Sequence, residues 1–205
     1  MIEVKIETDE EELLYHFPEN WDEITVKQFC DVFKKDYEGK NAFYSSVILM
    51  SALTGVKQDI IEMMDIEDFK MLLEKLKFMQ EDVKKSEDES IIINDEEYFL
   101  YTDFSKYTTG EIITIEILLE KAQNNVISVM SELLCVFLRK KTKKGKLEKF
   151  NTSFMERQYL YNLLPISKIY HIFNFFLDGK NTFINNIKDS TPNQKNQSQI
   201  SLQDD

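Results

Sequence analysis

The sequence is poor in the two residues that supply tight turns and phosphate-binding loops. It contains only five glycines and three prolines among 205 residues. An all-β sandwich or barrel joins many short strands through turns rich in these residues, so this fold class is excluded. The same scarcity excludes the glycine-rich loops that cradle nucleotide phosphates, and neither GxGxxG nor GxxxxGK[ST] occurs in the chain.

Residues that carry metal and nucleophile chemistry are also few. His16 and His171 are the only histidines, and Cys30 and Cys135 are the only cysteines. Their spacing matches no zinc motif, and the acidic clusters lack the glycine that a calcium loop needs. Both cysteines lie in apolar helical patterns, which predicts buried reduced thiols and no disulfide. Together with the absence of a GxSxG elbow, this predicts a protein that is not an enzyme and uses no cofactor or metal.

Long apolar runs are missing as well. The first residues lack the basic stretch followed by an apolar run that is typical of a signal peptide. No segment approaches the roughly 20 apolar residues that span a bilayer. We therefore expect a protein that is made in a cytosol and has no membrane contact.

The sequence does contain many apolar residues at helical spacing. Hydrophobic residues make up 42% of the chain and aromatic residues 12%, which is enough to bury a core in a domain of this size. We predict a mainly α fold, a compact bundle of about seven helices with a short N-terminal strand, within a single domain over 1–188. A small β-hairpin is inserted at about 91–101, and a disordered polar tail follows at 189–205.

Three finer expectations concern individual segments of this bundle. Residues 13–21 are predicted to be an irregular apolar entry into the first long helix. Thr25 and Thr108 each precede a Gln or Glu by three residues, which indicates capping boxes at two helix starts. The helix at about 109–123 is apolar on more than one side, so we expect it to be the central buried helix.

Charge is distributed unevenly along the acidic chain. The formal net charge is −12, which disfavours a general attraction to nucleic acid or to anionic membranes. Residues 1–100 hold 26 acidic and 11 basic residues, whereas residues 101–205 hold 11 acidic and 14 basic residues. An acidic end and a basic end favour head-to-tail stacking or docking onto a charged neighbour.

A basic run at 139–149 is the strongest local departure from this acidic average. Its basic members are Arg139, Lys140, Lys141, Lys143, Lys144, Lys146 and Lys149. One interpretation is contact with an acidic partner or a nucleic acid backbone. The other is a solvated loop whose cations favour the C-terminal end of the preceding helix. No aromatic residue interrupts the run, so base stacking is not indicated.

Trp21 is the only tryptophan and stands four residues before the Thr25 cap. It is predicted to be a hydrophobic staple that fixes how the chain enters the helix. The alternative is that Trp21 anchors a partner protein. The candidate partner-binding residues are therefore Trp21, Arg139, Lys140, Lys141, Lys143, Lys144 and Lys146.

Five short motifs resemble those of small helical proteins from tailed bacteriophages. They are FPENWDEIT at 17–25, ILMSALTG at 48–55, MDIEDF at 64–69, DFSKYTTGE at 103–111 and LPIS at 164–167. The nearest group is the phages of Bacteroidota, including the crAss-like phages. The motifs are caps and turns that cover about residues 17–178, so no site residue is carried over from this resemblance.

The resemblance implies a virion or assembly role without catalysis. The expected forms are a neck, ring or tail component, or a packaged protein, found in the virion or in the host bacterial cytoplasm during assembly. Its partners would be other phage proteins, with a ring-type homo-oligomer as one arrangement. Two alternatives stay open: a tail assembly chaperone absent from virions, and a small regulatory protein that binds nucleic acid through the basic loop at 139–149.

Overall fold

Helices dominate the computed structural model, which describes residues 2–7, 12–83, 88, 90–101, 103–123 and 125–174. Among these residues there are eight α-helices, and the mainly α prediction is confirmed. They are α1 (Val26–Lys34), α2 (Ala42–Thr54), α3 (Gln58–Glu62), α4 (Ile66–Lys75), α5 (Thr109–Ala122), α6 (Met130–Phe137), α7 (Gln158–Asn162) and α8, which begins at 166.

Short 3-10 helices connect or extend several of these elements. They are Trp21–Glu23, Leu76–Gln80, Phe104–Lys106, Val126–Val129 and Thr152–Arg157. None of the helices in the described part of the chain is long and apolar enough to cross a membrane. Residues 1–173 form one compact unit, and of the second unit, 174–205, only Asn174 is described. The predicted boundary at 188 and the predicted tail at 189–205 lie outside the described residues.

The N-terminal strand is one half of a hairpin. Strand β1 (Ile2–Glu7) pairs in antiparallel fashion with β2 (Glu12–Phe17). The irregular entry predicted at 13–21 is therefore wrong over its first five residues. A single strand such as β1 would leave its backbone N–H and C=O groups without hydrogen-bond partners, and β2 supplies these partners. In β2, exposed Leu14 and buried Phe17 lie on opposite faces of the strand.

The predicted hairpin near 91–101 is present as β3 (Ser90–Ile93) and β4 (Glu96–Leu100). Its two turn residues, Asn94 and Asp95, have φ angles of 51° and 62°. Two positive φ angles in a two-residue loop are typical of a type I′ turn, whose twist matches that of the strands. A third strand, β5 (Leu138–Lys140), pairs with β4 and was not predicted.

The central buried helix is α6, and the expectation that α5 would take this place is wrong. Every residue of α6 is buried, and α6 contacts α1, α5, α7 and β5. By contrast, Ile113 and Ile117 on α5 are about half exposed. The reason is that α5 packs on one side only, with Ile115 and Leu118 facing inward.

We predict that Asp95→Gly stabilises the protein by about 0.5 kcal/mol. A left-handed conformation costs an L-residue about 1–2 kcal/mol, and glycine removes this cost. The greater entropy of glycine in the unfolded chain offsets part of the stabilisation. Denaturant unfolding followed by Trp21 fluorescence measures the change.

The matched control is Asp65→Gly. Asp65 has a φ of −58° and makes no side-chain cap hydrogen bond, so glycine there brings only the entropic cost and lowers the stability. Equal changes in the free energy of unfolding at Asp95 and Asp65 would show that the left-handed backbone conformation of Asp95 does not destabilise the protein.

Candidate protein-interaction surfaces

The basic run forms a second, tightly closed hairpin rather than an open loop. The backbone N–H of Thr142 donates to the carbonyl of Lys146 over 2.7 Å, and the N–H of Glu148 donates to the carbonyl of Lys140 over 2.9 Å. Gly145 has a φ of 72° and allows the turn to close. We name residues 140–148 the basic hairpin. It continues directly from β5 and returns toward the helices.

Arg139 is buried, with an exposure of only 1%. Its Nη2 lies 2.7 Å from Oε1 of Glu111 in an ion pair, and its Nη1 donates to the carbonyl of Cys135 over 3.2 Å. The rings of Phe150 and Phe154 flank the guanidinium at 5.2 and 5.3 Å. Arg139 is therefore removed from the predicted set of partner-binding residues, because its charge is satisfied inside the core.

Glu111 is held by two partners at once. Its Oε2 accepts hydrogen bonds from the backbone N–H and the hydroxyl of Thr108, at 2.6 and 2.7 Å, while Oε1 faces Arg139. This is the capping box predicted at Thr108, and it is confirmed. Burial by itself raises the pKa of Glu111, but the hydrogen bonds from Thr108 and Arg139 outweigh it and hold the pKa below its usual value.

The lysines of the run differ in how far the protein already uses their charge. Lys140 forms an ion pair with Glu96, and the Nζ of Lys141 lies 3.5 Å from the centre of the Phe99 ring. Lys143, Lys144 and Lys146 are exposed and form no ion pair with any residue that the structure describes. Lys149, just beyond the basic hairpin, is likewise exposed and without an ion pair among the described residues. The charges left available to a partner are therefore the three lysines at the tip of the hairpin and Lys149.

An ion pair joins the basic hairpin to the 3-10 helix Thr152–Arg157, which leads directly into α7. Glu148 in the hairpin binds Arg157 through both carboxylate oxygens, with Nη2 and Oε2 3.1 Å apart. Tyr159 follows two residues later on α7, and Leu163 comes directly after this helix. Both side chains are more than half exposed.

A second exposed surface lies at the corner between α3 and α4. A groove of about 750 Å³ runs between this corner and β1. Its apolar lining includes Ile2, Val4, Met63, Met64, Met71 and Leu72. Its charged lining consists of Glu3, Lys5, Asp65, Asp68 and Lys75. Residues 59–71 contain five acidic residues and one lysine. We name this feature the methionine groove; no pattern in the sequence had indicated it, because its two walls come from segments about sixty residues apart.

Trp21 packs within its own molecule. Its ring makes edge contacts with Phe29 and Phe78, with centroids 6.1 and 5.4 Å apart. The indole N–H donates to the carbonyl of Glu81 over 3.1 Å. Because Phe29 stands in the second turn of the helix capped by Thr25, these contacts favour the staple interpretation over a partner anchor.

The scarce chemistry-bearing residues do not converge in the structure. Burial raises the pKa of the Cys30 thiol to about 11 and that of Cys135 to about 12, which keeps both protonated. His171 contacts the carbonyl of Asp88 through Nε2 at 2.9 Å, and His16 is exposed on β2. No group of three potential metal ligands occurs among the residues that the structure describes.

Comparison of the chain with protein-family models, with curated proteins and with solved structures gave no match.

We predict that Arg139→Met destabilises the protein by about 3–5 kcal/mol, because it leaves the carboxylate of Glu111 buried without its partner. The control Arg157→Met removes a less buried ion pair and is expected to cost about 1 kcal/mol. Urea unfolding of both variants measures these losses. A loss at Arg139 no larger than that at Arg157 would contradict the anchoring role.

We also predict a dependence of this stabilisation on pH. A carboxyl group whose pKa is lower in the folded state stabilises the fold above its unfolded pKa of about 4.3, and this contribution disappears as the pH falls through the folded pKa. The free energy of unfolding should therefore fall in acid more steeply in the wild type than in Arg139→Met. Parallel pH profiles would show that the ion pair does not set the pKa of Glu111.

Proposed function

We propose that the chain is a non-enzymatic structural or assembly protein of a tailed bacteriophage and acts through protein–protein contacts. The proposed setting is the neck, ring or tail of the virion, or a packaged protein, reached from the host cytoplasm during assembly. The proposed scaffold is a compact helical bundle that presents surfaces rather than a reaction centre. The resemblance of the motifs over 17–178 to small helical phage proteins supports the setting.

The observation that carries this proposal is the pair of exposed surfaces with opposite charge. The α3–α4 side of the methionine groove carries exposed carboxylates beside exposed Met63 and Met71. The basic hairpin carries three exposed lysines that form no ion pair with any residue in the described ranges. Apolar anchors surrounded by charge are typical of surfaces that bind other proteins. Both surfaces are attached to a buried core, so they are presented in fixed positions.

The proposed virion role predicts a fixed copy number in purified particles. Quantitative mass spectrometry of phage particles, normalised to the major capsid protein, should find the chain at the copy number of a symmetric ring or tail component. A variable, substoichiometric amount would favour a packaged protein. Presence in infected cells together with absence from purified particles would contradict the virion role and favour the tail assembly chaperone.

A second candidate function is nucleic-acid binding by the basic hairpin. Lys143, Lys144 and Lys146 lie within four residues of one turn and are free to contact phosphates. This function predicts retention on duplex DNA at low salt. Replacing the three lysines with alanine would then reduce the slope of log affinity against log salt by about 3.

The control for this experiment replaces Lys35 and Lys40, two exposed lysines outside the hairpin. Their loss should leave DNA retention nearly unchanged if the hairpin is the binding element. A wild-type chain that is not retained at low salt would remove this candidate.

A further inference from the structure

We infer that the basic hairpin of one copy of the chain docks on the methionine groove of a second copy, so that the protein assembles head to tail. This inference rests on the proposed function and deepens it, because it names a partner for the contacts. Its starting point is that one chain carries both halves of a complementary pair.

The rim of the groove carries charges that the protein itself does not neutralise. Glu62, Asp65 and Asp68 are exposed and form no ion pair with residues in the described ranges. Glu67 is paired with Lys70, one turn away on the surface of α4. Lys5 and Lys75 also line the groove, and the Nζ of Lys75 lies 3.8 Å from a carboxylate oxygen of Glu19. The excess of negative charge therefore lies on the α3–α4 side of the groove, and this side favours a cationic partner.

The groove also exposes apolar side chains that a partner could cover. Met63 and Met71 are each more than half exposed, and both line the groove. Methionine side chains adapt their shape to a partner and are common at binding surfaces. Their burial against a partner would add a hydrophobic contribution to the electrostatic one.

The basic hairpin offers what this groove lacks. Lys143, Lys144 and Lys146 supply the opposite charge at its exposed tip. The hairpin is tied to the core through Arg139, which directly precedes it, and to the 3-10 helix Thr152–Arg157 through the ion pair of Glu148 with Arg157. Because its base is fixed in this way, docking costs less conformational entropy than the ordering of a free loop.

The charges also select a head-to-tail contact over a two-fold symmetric one. Two grooves facing each other would oppose acidic rims, and two hairpins facing each other would oppose lysines. The two surfaces are built from different elements and share no residue. A contact between unlike surfaces leaves one surface of each kind free, so it continues until the assembly closes as a ring or grows as a filament.

The test is sedimentation velocity of the full chain over a range of concentrations, at about 0.01 M and about 1 M salt. Charge pairs act over about 30 Å at the lower salt and about 3 Å at the higher. The wild type should form larger species with increasing concentration at low salt and return toward the monomer at high salt.

Charge reversal then identifies the contact. One variant combines Lys143→Glu with Lys144→Glu, and another combines Glu62→Lys with Asp68→Lys. Each should weaken association at least tenfold. The four-residue combination exchanges the charges of both surfaces, so it should associate again to within about threefold of the wild type. Thermal unfolding followed by circular dichroism confirms that each variant is folded.

Matched controls make the same changes in net charge elsewhere. Lys35→Glu with Lys40→Glu, and Glu116→Lys with Glu120→Lys, alter exposed residues outside both surfaces and should leave association within about threefold of the wild type. Comparable weakening by the controls would show an effect of net charge alone and would overturn the inference.

Three further results would overturn the inference: a wild type that stays monomeric at low salt, association that survives either reversal, or a four-residue variant that fails to regain it. These outcomes are distinguishable from a failure of the proposed function. A monomeric chain found at fixed copy number in particles removes self-docking alone, whereas a self-associating chain absent from particles and from infected-cell assemblies removes the phage role.

Discussion

The buried ion pair between Arg139 and Glu111 is the constraint on which the presentation of the basic hairpin depends. Neither charge can lie in the core without the other, so the start of α5 and strand β5 must meet. Thr108 fixes Glu111 from the other side through the capping box. With β5 held beside β4, the chain beyond it has to turn back at once. A requirement of the core thus decides where the exposed lysines are placed.

Features governed by neighbours in the sequence could be predicted from the sequence. Helix α2 begins directly after Asn41 and ends directly before Gly55, because the side chain of Asn41 caps the first turn and Gly55 takes a left-handed conformation. The hairpin at Asn94 and Asp95 follows from the change in hydrophobic period on its two sides. In each case the determining groups lie within a few residues of the element they define.

Features that depend on distant partners could not be predicted in this way. Strand β5 exists because β4 lies about forty residues earlier in the chain. Helix α6 is central because other helices surround it, although α5 also carries apolar residues on more than one side. Charge counting gave Arg139 the same weight as Lys143, yet one is in the core and the other on the surface. The methionine groove was missed for the same reason, since β1 and α4 form it jointly.

The net charge of −12 therefore says little about what the protein can bind. The field of a charge in the core or in a local ion pair is largely cancelled by that of its partner. A binding partner therefore meets mainly the exposed, unpaired charges, and the fold decides where these lie. At the basic hairpin, Arg139, Lys140 and Glu148 are each engaged, and their engagement holds the hairpin in place for the lysines at its tip. Paired charges supply the rigidity and unpaired charges supply the attraction, so an acidic protein can offer a preorganised cationic surface.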